Sequence, residues 1–134
     1  MSNFLVIAPL DGFSHEGIAL FRHGLHLAKK VGFQPSAQTL DNQWAAAALF
    51  PRANGSGKTL VTEADSNSWL LSIGTWFHSH DCACEDEAQL LKRYLEVGPT
   101  RLGRELEGFF CLVIGDVRSQ EVVVITDIVG SCHC

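Results

Sequence analysis

The stretch 105–130, ELEGFFCLVIGDVRSQEVVVITDIVG, constrains the fold more than any other part of the chain. Residues 109–114 and 121–126 are apolar at nearly every position and rich in β-branched or aromatic side chains, the composition of strands. The polar residues 115–120 between them form a connection, so the pattern predicts a hairpin. Apolar runs without polar alternation suit strands covered on both faces. A layer is therefore expected on each side of both strands, and the rest of the chain must supply those layers.

The remaining sequence offers helices and further strands. Residues 4–8 form an apolar run stopped by Pro9, and Asp11-Gly12 turns the chain. Ser14 can cap a helix reaching about Lys30, with Glu16 in the first turn at the positive end of the helix dipole. Ile18, Phe21, Leu25 and Ala28 recur at helical spacing as a core-facing stripe, and Gly32 suits the stop. His15, His23 and His26 lie on this helix without a carboxylate or thiol at matching spacing, and read as solvated histidines. Residues 42–50 are ambiguous, because Ala45 to Ala48 favour helix but the run is short and Pro51 ends it. A strand is preferred here, with Asn54-Gly55-Ser56-Gly57 turning it into a partner strand over 58–62. Residues 68–77, with WLLSIGTWF at their heart, form another strand. A helix over 85–97 follows, acidic in its first turn, with Leu90, Leu91, Tyr94 and Leu95 as its buried stripe and Gly98-Pro99 as its close. A short helix over 101–107 then leads into the hairpin.

Size and charge narrow the function classes. The 134 residues suffice for one domain with a proper core. The net charge is −5 and the ten Lys and Arg are scattered, which is no nucleic-acid footprint. The apolar run near the N-terminus is too short to span a membrane and has no basic flank of a signal peptide, so a cytoplasmic protein is expected. Five cysteines without a secretory signal are expected to be reduced thiols. Cys111, inside the apolar strand, reads as a small core residue.

Three motifs invite chemistry. Gly55-Ser56-Gly57-Lys58-Thr59 looks like part of a phosphate loop, but Arg52 stands where the first glycine belongs and a strand-like run follows where a helix is needed. A hairpin turn is the better reading. In extended chain His78, His80, Cys82 and Cys84 would share one face, a ligand set that suits zinc, and Cys132, His133 and Cys134 could add to it. Four ligands along a straight strand span too far for one tetrahedral ion, so a polar loop with reduced thiols is the plainer account. Trp44, Trp69 and Trp76 each lie in a strand-like run and read as core rather than as a stacking platform.

Residues 85–130, EDEAQLLKRYLEVGPTRLGRELEGFFCLVIGDVRSQEVVVITDIVG, resemble the glutaminase domain of the asparagine synthetase-like class II glutamine amidotransferases. There an acidic helix start leads through a Leu-Leu helix to a Leu-x-Gly-x-Phe strand, an Asp-containing turn, a second apolar strand and an Arg-Asp-x-x-Gly segment. Leu106-Glu107-Gly108-Phe109-Phe110, Asp116 and Thr126-Asp127-Ile128-Val129-Gly130 hold those places. The resemblance implies an α+β, N-terminal nucleophile hydrolase-like fold: a layered αββα arrangement of mainly antiparallel sheets flanked by helices. It also implies a single domain over 1–134, either shortened or a fragment of a longer protein. In the family an N-terminal Cys attacks the glutamine amide, its own amine acts as base, an Asn-Gly segment helps form the oxyanion hole, and a synthetase domain receives the ammonia.

This chain departs from that pattern where the chemistry occurs. Ser2 replaces the Cys, and a hydroxyl is far harder to deprotonate than a thiol. The Arg-Gly-Pro-Asp segment is absent, the Asn54-Gly55 pair lies in a turn, and Ile73-Gly74-Thr75-Trp76 stands where the family has Asn-Gly-Glu. Asp86 is the candidate for the carboxylate that holds the substrate amine. Losing one oxyanion donor alone costs about a hundredfold in rate. The expectation is the scaffold without the glutaminase: a structural or interaction module beside an asparagine synthetase-like partner, or one that self-associates through an unpaired strand edge. Two alternatives stand beside it. One is an active amidohydrolase using Ser2 as N-terminal nucleophile; the other is a metal- or thiol-dependent protein using His78, His80, Cys82 and Cys84, with zinc as the cofactor.

Overall fold

The computed structural model describes residues 3–8, 15–35, 37–40, 45–50, 60–78 and 86–129. They form a mixed α+β chain with antiparallel sheets and two helices, divided into two compact units, 1–60 and 61–134. Among the described residues no helix is long and apolar enough to cross a membrane.

The first unit contains β1 (Asn3–Ile7), α1 (His15–Lys30), β2 (Ala37–Leu40) and β3 (Ala46–Phe50). Its sheet has the order β1-β3-β2, with Leu5 and Gln38 both opposite Ala48 in antiparallel register. The helical stripe lands as its spacing predicts: Phe21 and Leu25 are buried against Ala46, Ala48 and Phe50, with Leu5, Ile7 and Ala28 packed around them. α1 comes so close to β1 that a Cβ on Gly24 would stand 2.7 Å from a Leu5 methyl. The helix closes in a Schellman motif, with Phe33 N–H donating to Ala28 O and Gly32 N–H to Lys29 O. The ambiguous alanine run is a strand, buried at every position, because a central strand between two neighbours overrides the helical preference of alanine.

The expected hairpin between that run and residues 58–62 does not form. β3 has both edges occupied by β1 and β2, while β4 (Leu60–Thr62) belongs to the other sheet. The Asn54–Gly57 turn lies outside the described residues. β2, which the sequence reading did not foresee, takes the place beside β3 that adjacency in sequence had suggested for β4.

The second sheet has the order β4-β5-β6-β7, where β5 is Trp69–His78, β6 is Leu106–Asp116 and β7 is Glu121–Thr126. Its loop 63–68 is stitched by Glu63, whose carboxylate accepts from Asp65 N, Ser66 N and Ser66 Oγ at 2.7–3.1 Å. Those bonds, the Ser66 amide first, hold the Glu63 carboxyl below its ordinary pKa. α2 (Glu87–Glu105) lies between β5 and β6 in sequence. One face of the sheet packs Leu70, Phe110, Leu112 and Ile114 against Leu90, Leu91, Tyr94 and Leu102 of α2.

α2 is two helical pieces, as the Gly98-Pro99 stop predicts. Asp86 caps the first, its Oδ1 accepting from Gln89 N at 2.8 Å. Gly98 has φ 75° and ψ 174°, outside helical values, and Pro99 opens the second piece. That piece ends at Glu105, two residues short of the expected end, and β6 begins at once. Arg93 bridges the break, donating to Glu105 through Nε (2.9 Å) and Nη2 (2.8 Å).

The hairpin itself is confirmed, and the expectation of two covered faces holds for one of its strands. Leu112, Val113 and Ile114 of β6 are all buried. On β7, Val123 and Ile125 pack on the α2 core, but Val124 is 52 % exposed although its register partner Val113 is 1 % exposed. β7 is an edge strand among the described residues, and the cover over the Val113 face does not reach it.

Candidate functional site

The segment that opens β6 and the residues just past β7 meet where the β6–β7 ladder ends. Asp127 follows β7 directly, and antiparallel pairing brings it opposite Phe110. Its backbone N–H donates to Phe110 O at 3.1 Å, and its buried carboxylate accepts from Phe110 N at 3.2 Å. The side chain thus replaces a backbone carbonyl at the last rung of the ladder.

Beside this junction lies a pocket of about 160 Å³, lined by Leu106, Glu107, Gly108, Phe110, Asp127, Ile128 and Val129. Its walls are mainly apolar, with two carboxylates. Sites for drug-sized ligands run to about 300–1,000 Å³, so this volume suits a side chain or a single amino acid rather than a nucleotide. Two of its large apolar lining residues are left in water: Ile128 is fully exposed and Val129 is 79 % exposed.

A second polar cluster sits at the hairpin turn and is structural. Asp116 accepts from Arg118 through its backbone N, Nε and Nη2, at 2.8–3.0 Å. The guanidinium holds the Asp116 carboxyl below its ordinary range, and the carboxylate raises the Arg118 pKa in return. Arg118 Nη1 also donates to Leu95 O at 3.0 Å. In an unbroken helix that oxygen would take the N–H of residue 99, and Pro99 has none. Nearby, burial first and the Asp116 charge second push the Tyr94 phenol up.

The candidates named from sequence scatter. Ser2, His80, Cys82, Cys84, Cys132, His133 and Cys134 lie outside the described residues, as do Trp44 and the glycine-rich run 55–59. Asp86 is exposed and caps α2. His15, His23 and His26 are exposed on α1. Trp69 is fully buried and Trp76 packs against the α2 core, as expected of core residues. Cys111 is buried and forms no disulfide. His78 ends β5 with both ring nitrogens buried and without a hydrogen-bond partner among the described residues, its ring edge-on to Trp76 at 6.0 Å. Among the described residues no three His, Cys, Asp or Glu are grouped as metal ligands.

Sequence reasoning named Asp127 but missed the pocket beside it. The available signal was Ile128-Val129, two large apolar residues placed just past the end of a strand. No protein-family model, no curated protein and no solved structure matches this chain.

Proposed function

We propose that the chain is an asparagine synthetase-like amidotransferase scaffold without glutaminase activity, serving as a structural or interaction module. The observation that carries this reading is the small pocket beside the buried Asp127, with Ile128 and Val129 of its lining left in water. Large apolar side chains grouped on a surface mark contact sites, because covering them on a partner removes them from water. The pocket's lining comes from the two segments that resemble the amidotransferase family, and the order of helix, kink, strand, turn and strand fits that resemblance. In support of lost chemistry, Asp86 is engaged as a helix cap and residue 2 is serine. The test is ammonia release from glutamine. None above background is expected, whereas release that disappears in Ser2→Ala would establish the amidohydrolase alternative.

A metal-dependent reading is favoured by one observation, the two buried nitrogens of His78 that have no partner among the described residues. Buried polar groups are rarely left without partners, and zinc would satisfy one of these nitrogens, with His80, Cys82 and Cys84 following in sequence. Elemental analysis of protein purified without an affinity tag decides it: stoichiometric zinc that is lost in His78→Ala supports the site, and a metal-free protein removes it.

A further inference from the structure

β7 is the longest edge strand among the described residues, and nothing in its sequence protects it. Five of its six residues are β-branched, it has no Pro or Lys, and its one charge, Glu121, stands at the end. Natural edges are usually blunted by such residues or covered. The pattern of hydrogen bonds fixes which groups are exposed. Asp127 N–H points at Phe110 O, so by the alternation of an antiparallel ladder Ile125 and Val123 also point their backbone groups at β6. Val122, Val124 and Thr126 therefore point N–H and C=O outward.

We propose that this edge pairs antiparallel with the same edge of a second copy, about a two-fold axis at Val124. Two conditions select that register. The faces of the two sheets must be continuous, and outward groups must meet outward groups. Centring on Val124 satisfies both, placing Val124 opposite its own copy and Val122 opposite Thr126. It yields three close pairs with two hydrogen bonds each, whereas moving the axis one residue either way loses one of those pairs. The half-exposed Val124 side chains then cover each other across the axis, where Cα atoms stand about 5.5 Å apart. A six-residue ladder is short against the roughly 1,200 Å² of a stable interface, which makes the dimer concentration-dependent. The proposal does not rest on the amidotransferase resemblance.

Sedimentation velocity of the full chain over about a hundredfold range of concentration is expected to show a monomer passing to a dimer. Val124→Lys and Val124→Glu each place like charges side by side at the axis and should weaken association at least about tenfold. Mixing the two variants should restore it, which an unfolded variant could not do. A wild-type monomer at every concentration, a dimer indifferent to Val124→Lys, or a mixture that stays monomeric overturns the proposal.

Discussion

The Arg118 side chain donates to three acceptors: both oxygens of the buried Asp116, which also takes the Arg118 backbone N–H, and the Leu95 carbonyl beside the α2 kink. Hydrogen bonds to charged groups contribute about 1.5–3 kcal/mol. Arg118→Gln should therefore destabilise the chain by about 2 kcal/mol in urea denaturation and let the Asp116 pKa rise toward its ordinary value, read by carboxyl NMR titration. An unchanged urea midpoint would mean that water serves these acceptors as well. A different constraint governs Gly74, at φ 97°, where a Cβ would overlap the Phe109 carbonyl of the neighbouring strand. Gly74→Ala should cost at least about 2 kcal/mol. Gly103→Ala is the control, since its Cβ would only touch an Ile125 methyl at 3.5 Å and helix propensity favours Ala by up to about 1 kcal/mol. Equal effects of the two substitutions would contradict the backbone argument.

At the scale of elements, α2 depends on a side-chain clamp across its own break. Gly98 interrupts the helical hydrogen bonds, and the Arg93–Glu105 pair ties the two pieces together, with Arg101 adding a bond to Glu105 at 3.1 Å. The Arg93 hydrogen bonds are the main cause that lowers the Glu105 pKa from 4.5 to about 2. A carboxyl whose folded pKa is depressed adds stability above its unfolded pKa, and this stability is lost as pH falls through the folded one. The clamp thus contributes fully above about pH 4.5 and fades toward pH 2. Arg93→Gln should lower the urea midpoint at pH 7, and the gap to the parent should close progressively between pH 4.5 and 2. A gap independent of pH would show that Arg93 acts by packing its stem rather than by pairing.

Across the whole molecule, legibility followed the locality of the signal. α1, the two pieces of α2 and the β6–β7 hairpin were readable because periodicity, caps and the Gly-Pro break are written within a few residues. The partner of β3 was not, because pairing is decided by which strands reach both its edges, and Leu60–Thr62 looked like a hairpin partner only by adjacency. The exposure of Val124 was not readable either, because Val123 and Val124 are the same residue type and only the cover over each face separates them. At the site, Asp127 was visible through its motif, while the pocket required Leu106 and Ile128, distant in sequence, to meet. Pairing and burial together locate the most stable part of the chain. β6 is hydrogen-bonded along both edges, to β5 and β7, and its centre is buried on both faces. Regions so paired open only with the molecule as a whole. Cys111 sits there at 1 % exposure and is a built-in probe. Its alkylation, followed by peptide mass spectrometry to separate it from the other four cysteines, should be slowed at least about a thousandfold against a free thiol. The protection should fall with urea along the global unfolding slope. Rapid labelling insensitive to urea would mean that β6 opens locally and that the stable centre lies elsewhere.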